Sequence, residues 1–263
     1  FRSLISSKEL IPAAAWPPEA CPSAPVNRPT PRPPPILKPF FMRPSPKRAF
    51  NAGSAPAMLI DDHRHGFCGV RENQGGRLVT RVYGRPCAIH VDPIEKKPLF
   101  HVFPGEQAFS LATVGCNIHC TFCQNWDISQ ARPQTVATAY RSPASIARAA
   151  RDSGARVLAY TYSEPTIFYE YMADCARAGQ EAGLHSVMIS NGFIQAEPQI
   201  ALLPLLKAVK IDLKAFTEKF YADICEGSLA PVLESLQRIR RQGTWLEVVV
   251  LLIPTLNDGS DEI

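Results

Sequence analysis

The chain has 263 residues, 46% of them hydrophobic, with a formal net charge of +4 and eight cysteines. That length and apolar fraction suit one large domain, or a domain with an appendage, and exclude a small disulfide-stapled secreted scaffold. No run of about 18 apolar residues occurs, so no transmembrane helix or membrane partner is expected, and a reducing cytoplasm is the expected compartment. The charge is unevenly placed. Residues 1–57 hold eight Lys/Arg against Glu9 and Glu19, so the remainder is slightly acidic and gives no nucleic-acid footprint.

Residues 1–57 carry more than half of the 25 prolines, as in PRPPPILKP. Proline lacks the donor that ladders and helices need, so this segment is expected to be a proline-rich disordered extension. A ligand for an aromatic groove and a transit peptide are the functional readings; a flexible upstream tail is the plain one. The chain begins at Phe1 and ends at Ile263, so a fragment at both ends is expected, with Met58 a plausible start. Residues 58–105 read as a small β-rich region. RLVTRVY, CAIHVD and LFHVF are its strands, with ENQGG and GRP as turns.

From residue 106 to 263 the pattern becomes strand then helix, repeated. The expected strands are FSLATV, VLAYTY, HSVMIS, VKIDLK and the long WLEVVVLLIP. Apolar on both faces, they suit a parallel sheet covered on both sides. Between them lie SPASIARAARDSG, with Ser142 as N-cap, Pro143 at the first helical position and Gly154 beyond the end. TIFYEYMADCARAGQEAG, PQIALLPLLK and PVLESLQRIRRQG are the other helices. Five strands spaced at βα intervals give an open or incomplete α/β barrel.

Ligands of such folds sit at the carboxyl ends of the strands. There this sequence places Cys116, Cys120 and Cys123, then Ser163-Glu164, Asn191-Gly192, Asp212 and Lys214, and Asn257-Asp258. Three thiolates can hold three irons of a cubane 4Fe-4S cluster and leave the fourth open to a small molecule. Other readings stand beside this one. The three cysteines, at i, i+4 and i+7, fit a helix face packed in a core. Zinc with His119 or Cys68 as fourth ligand is another possibility. Asp212 and Lys214 can be a structural ion pair. Cys87, Cys175 and Cys225 read as buried and inert, and Glu170 as solvated or salt-bridged.

Cys116-x3-Cys120-x2-Cys123, with Phe122 before the last cysteine, resembles the radical S-adenosylmethionine (SAM) signature. GFCGVREN, YGRPCAIHVDPIEKKPLFH, GCNIHCTFCQNWDISQ, YTYSEPTIFYEY, ISNGF, KIDLKAF and LLIPTLND together resemble the AmmeMemoRadiSam radical SAM family, itself similar to pyruvate formate-lyase activating enzymes. The resemblance covers residues 63–262 and implies a partial, C-terminally truncated parallel (β/α) barrel with a small N-terminal β appendage. It implies Cys116, Cys120 and Cys123 as ligands of a 4Fe-4S cluster. Phe122 and Gln124 would lie against the adenine of SAM, and Ser163 and Glu164 would occupy the turn that receives its amino group. In relatives that turn is Gly-Gly-Glu; the glycines are absent here, so only a backbone contact near Ser163 carries over. Asn191 and Asp212 are further cofactor-binding candidates, and Lys214 would reach the SAM carboxylate. Ile189 stands where some relatives carry an Asp for a monovalent cation, so that site does not carry over.

The implied function is reductive cleavage of SAM to a 5′-deoxyadenosyl radical that abstracts hydrogen from a substrate. The likeness to glycyl-radical activating enzymes points to a protein or peptide substrate, and flavodoxin or ferredoxin is the implied electron donor. No catalytic residue is implied beyond cluster and SAM. The rival reading is a metal-binding interaction module or a catalytically inactive fragment, which would leave SAM intact.

Overall fold

The computed structural model describes residues 48–50 and 59–260. Of the expected disordered extension, only Arg48–Phe50 lies among them. It forms a short strand, β1, paired antiparallel with β2 (Leu59–Asp61); the rest of residues 1–57 lies outside the described residues. A hairpin follows, β3 (Arg71–Gln74) and β4 (Arg77–Thr80), turning on Gly75 and Gly76, which both take positive φ. The turn expected at ENQGG is thus confined to its glycines, and Glu72 and Asn73 are strand.

The main sheet has six strands in the order β10-β9-β8-β7-β6-β5. They are β5 (Ala88–Pro93), β6 (Gln107–Ala112), β7 (Val157–Tyr160), β8 (His185–Ser190), β9 (Ala208–Asp212) and β10 (Trp245–Val249). Five run parallel, in a register that sets Phe109 beside Leu158, Ala159 beside Val187, Met188 beside Val209 and Ile211 beside Val248. β5 closes one edge antiparallel to β6. It comes from the N-terminal β-rich segment, yet belongs to this sheet. β10 stops at Val249, short of the long strand expected through Pro254.

Helices cover one face. α1 (Trp126–Ser129) is a single turn in the loop after β6. α2 (Pro143–Asp152), α3 (Tyr169–Glu181), α4 (Ala196–Leu202), α5 (Glu218–Cys225) and α6 (Leu229–Arg241) follow. α2 begins as the sequence requires: the Ser142 hydroxyl accepts from Ser145 N–H at 3.2 Å. α3 is preceded by a 3-10 turn, Pro165–Phe168, and α4 gives way to another, Leu203–Leu205, at Pro204. α5 has no counterpart among the expected elements. Phe109, Leu111, Leu158, Tyr160, Met188, Val209 and Ile211 pack with Ile146, Met172, Leu202, Val232 and Ile239 of these helices into the larger core. None of the helices among the described residues is long and apolar enough to cross a membrane. This is the α/β architecture of a partial parallel barrel, helices outside, with an appended β hairpin.

The inner face is different. Ala108, Val157, Ala159, Val187, Ile189 and Ala208 point to it and pack on Ile94, Leu99, Val102 and Phe103. Residues 94–103 therefore form a strap across the sheet, where LFHVF was expected as a strand. Its backbone is not laddered; the N–H groups of Phe100 and His101 donate to the Glu247 carboxylate of β10 at 2.9 and 3.1 Å. Phe103 stacks on His185, the first residue of β8, at 4.7 Å, which puts the strap over the lower half of the face. At its other end, buried Lys97 donates to Asp92 at 2.7 Å and to the Tyr162 hydroxyl at 3.1 Å, and Tyr162 donates to Asp92 at 2.7 Å.

Burial pushes the Asp92 carboxyl up, but the bonds from Lys97 and Tyr162 outweigh it and hold the pKa at about 2. A depressed carboxylate stabilises the fold above its ordinary value near 4, and that contribution is lost as pH falls from there towards 2. The shift is worth about 2 kcal/mol. Asp92→Asn should lower the melting temperature at neutral pH, and its stability should fall less than wild type's between about pH 5 and pH 2.5. Parallel acid titrations of thermal stability in the two proteins would remove Asp92 from this role.

Candidate active site

Above the strap, the upper half of the inner face meets the loop that follows β6. Gly115 opens that loop at φ +97°; a Cβ there would lie 2.7 Å from Val70 Cγ1 and 2.8 Å from the Cys68 carbonyl oxygen, so only glycine fits. Its N–H donates to the Ile128 carbonyl at 2.9 Å, which ties the two ends of the loop together. The middle is pinned to the C-terminal end of α5. His119 N–H donates to Cys225 C=O at 2.9 Å, and Thr121 N–H to Ile224 C=O at 3.0 Å. Gly227 lets the two segments touch, since a Cβ there would stand 3.0 Å from Ile118 Cγ2.

This closed loop carries Cys116, Cys120 and Cys123, all partly buried and unbridged. Cys116 Sγ receives a long contact, 3.9 Å, from Asn191 Nδ2, and burial followed by the nearby Glu164 pushes its thiol well above the ordinary value. Cys123 Sγ lies 3.3 Å from Ser129 Oγ. The neighbouring Cys225 thiol pushes the Cys120 pKa well above the ordinary value, and Cys120 and the Lys214 ammonium pull that of Cys225 down against burial. Cys225 is buried, as the sequence suggested, and its carbonyl accepts from the loop's His119 N–H. Cys87, Cys175 and Cys68 stand as partly or fully buried thiols, and Glu170, read as solvated or salt-bridged, makes a bidentate pair with buried Arg71 at 2.7 Å.

Beneath Cys116 runs a buried polar network. The Glu164 carboxylate accepts from Thr166 N–H at 3.0 Å, Ser190 Oγ–H at 2.8 Å and Asn191 N–H at 2.8 Å. Burial raises its pKa, against these hydrogen bonds. Asn191 Nδ2 also donates to Asn117 Oδ1 at 2.8 Å, and Asn117 Nδ2 to the Phe193 carbonyl at 2.7 Å. Glu164 thus braces the ends of β7 and β8 and aims Asn191 at Cys116. The Ser163 hydroxyl is turned back to the Thr113 carbonyl at 2.7 Å. Tyr162 takes a left-handed φ of 68°, held at both ends: its carbonyl accepts from Asn125 Nδ2 of the loop at 2.9 Å, and its hydroxyl reaches the strap.

On the far side Asp212 ends β9 between two lysines. It pairs with buried Lys210 and with Lys214, whose Nζ is 3.6 Å away. Burial lowers the Lys214 pKa, but Asp212 and the thiols of Cys120, Cys116 and Cys225 outweigh it, so the net shift is upward and the ammonium stays charged. The Lys214 N–H donates to the Tyr221 hydroxyl of α5 at 3.0 Å. Phe122 packs on Phe220 of α5 at 6.0 Å, while the Gln124 side chain is exposed. The structure thus gathers the three thiols, Asn191 and Lys214 around one loop, with Glu164 below and Phe122 against α5. Asn257 steadies this rim, donating to the Lys214 carbonyl at 2.8 Å.

Among the described residues, no three His, Cys, Asp or Glu side chains are grouped so as to hold a single metal ion. Zinc with His119 or Cys68 as fourth ligand is therefore unsupported. The thiols of a cubane bind different irons and stand further apart than the ligands of one ion. Three loop thiols, with no fourth protein ligand among the described residues, suit such a cluster with one open iron. The loop has further polar capacity in His119, whose Nε2 is buried without a partner among the described residues.

A parallel half-barrel with three thiols on the loop after its first parallel strand defines a class. Residues 110–263 match the family model described as Radical SAM superfamily, and the chain belongs to that superfamily. It is 42% identical over 205 residues to the Methanocaldococcus jannaschii protein MJ0808, covering 78% of this chain and 61% of that one. It is 24% identical over 152 residues to the pyruvate formate-lyase 1-activating enzyme of Escherichia coli K12, covering 56% and 61%. The chain thus spans about 61% of the length of each of these curated relatives. Among solved structures, TYW1 with a lysine-pyruvate adduct bound aligns with a TM-score of 0.44 at 18% identity, covering 62% of this chain and 61% of that one.

Proposed function

We propose that this chain holds a 4Fe-4S cluster through Cys116, Cys120 and Cys123, binds SAM beside it, and uses the two for radical hydrogen abstraction. The observation that carries the reading is the convergence of three loop thiols and the Lys214 ammonium. A cluster held by Cys116, Cys120 and Cys123 would supply the electron for reductive cleavage of SAM and so the radical chemistry of hydrogen abstraction. The chain's own residues bind and orient. Lys214 offers a charge to the SAM carboxylate, and the rim near Ser163 offers backbone groups to the amine. Phe122 and Gln124 flank the third thiol where the adenine would lie. Asn191, fixed by Glu164, holds the first thiol. The strap seals the lower face, which keeps bulk water from the reacting centre. The 24% likeness to a pyruvate formate-lyase 1-activating enzyme favours a protein or peptide as substrate; the AmmeMemoRadiSam branch, a cytoplasmic setting and flavodoxin or ferredoxin as electron donor are proposed on the sequence motifs alone.

The test is Lys214→Ala. Losing a hydrogen bond to a charged group costs about 1.5–3 kcal/mol, so SAM affinity of the reconstituted protein should weaken roughly ten- to a hundredfold. Iron content should be unchanged, because Lys214 is no ligand. Wild-type protein that takes up iron yet neither binds SAM nor forms 5′-deoxyadenosine under dithionite would sink the enzyme reading in favour of a metal-binding module. Normal SAM binding by the variant would sink only the role of Lys214.

A further inference from the structure

We propose that Lys210 is a positioning residue for SAM: by engaging Asp212 it leaves the Lys214 ammonium unneutralised and free for the carboxylate of the cofactor. This rests on the reading of Lys214 above. Residues 208, 210 and 212 fall on one face of β9, the inner one, where Ala208 packs under the strap. Lys210 therefore points into the half-barrel. Its register neighbour on β8 is Ile189, apolar and buried. Its neighbour on β10 is Glu247, whose carboxylate already accepts from the N–H groups of Phe100 and His101. Among the described residues the Lys210 ammonium bonds to Asp212 alone.

One carboxylate thus stands between two lysines, and it serves them unequally. Asp212 Oδ1 accepts a hydrogen bond from Lys210, while Oδ2 stands 3.6 Å from Lys214 Nζ, an ion pair too long for a hydrogen bond. The Lys210 side chain is 5% exposed and that of Lys214 20%. The lysine that bonds Asp212 is the one sealed from solvent; the one kept at a distance is the one a ligand can reach. A buried ammonium is costly unless paired, so Lys210 holds the carboxylate firmly. Wherever the proton rests between them, the pair carries no net charge, and the positive charge of Lys214 is left over. Without Lys210, Asp212 would have only Lys214 to pair with. An incoming carboxylate would then meet a neutral pair with a negative group already in place.

The experiment measures how far reconstituted protein prefers SAM to decarboxylated SAM, which lacks the carboxylate and keeps the sulfonium, amine and adenosyl groups. Wild type should prefer SAM. In Lys210→Met the preference should fall roughly tenfold, at unchanged iron content, because Lys214 then turns to Asp212. Combining Lys210→Met with Asp212→Asn removes both members of the neutral pair and should return the preference to near the wild-type value. A merely structural role for Lys210 would weaken both ligands alike and leave their ratio unmoved. An unchanged preference in Lys210→Met overturns the proposal, as does a double variant no better than the single one. Should Lys210→Met fail to fold, the double variant, which leaves no carboxylate unpaired, decides alone: a wild-type preference supports the proposal and a lost one overturns it. Wild type that binds both ligands equally fails at the earlier step, and the assignment of Lys214 to the carboxylate falls with it.

Discussion

Replacing any one of Cys116, Cys120 or Cys123 by alanine should take reconstituted iron from about four per chain to nearly none. The loop should survive the change. Its ends are joined by the Gly115–Ile128 backbone bond and its middle by two bonds to α5, none of which involves a thiol. The loss would then be of a ligand and not of a fold, so far-ultraviolet circular dichroism and thermal midpoint should stay near wild type. Cys175→Ala is the control: that thiol is buried in α3 within the outer core, and iron should be retained. Iron that persists through all three loop substitutions would mean that the site lies elsewhere.

Glu164→Ala is expected to be among the most damaging single changes for stability. It would strand three buried donors, Thr166 N–H, Ser190 Oγ–H and Asn191 N–H, that now bond the buried carboxylate. Each stranded group costs about 1–3 kcal/mol, so a total of about 3–9 kcal/mol is expected, or roughly 10 °C or more in melting temperature for a domain of this size. Glu164→Gln should be far milder. A glutamine keeps the oxygen that accepts from Thr166 N–H and Ser190 Oγ–H and loses only the acceptor for Asn191 N–H. Thermal melts of the two variants decide it, and equal, small effects would show that the network is not held by this side chain.

Much of the sheet was legible because its central strands are apolar on both faces, and α2 because Ser142, Pro143 and Gly154 mark its ends. LFHVF misled because an apolar run specifies burial without specifying a partner. Leu99 is buried and Phe103 half-buried against the inner face, but the backbone between them bonds to Glu247, a residue far away in sequence. α5 was overlooked although Thr217 caps it, accepting from Phe220 N–H at 3.2 Å, and Phe220, Tyr221, Ile224 and Cys225 recur at helical spacing. The three loop cysteines announced themselves by spacing. That Glu164 turns inward, and that Cys225 meets Cys120, depends on chain segments brought together only by folding.

The grip of α5 on the cysteine loop sets an order of events during biosynthesis. The thiols leave the ribosome about a hundred residues before the helix end that holds them, and domains are generally made N-terminus first at about 5–20 residues per second. Over that interval the three cysteines lack the two backbone bonds to α5 that shape their loop. Only when β9 and α5 have docked does the loop acquire its shape and the lysine its place. On the proposed reading, cluster insertion would be a late step, coupled to completion of the second half of the sheet, and a chain stalled before Cys225 would carry all three candidate ligands and still lack the backbone anchor that shapes their loop.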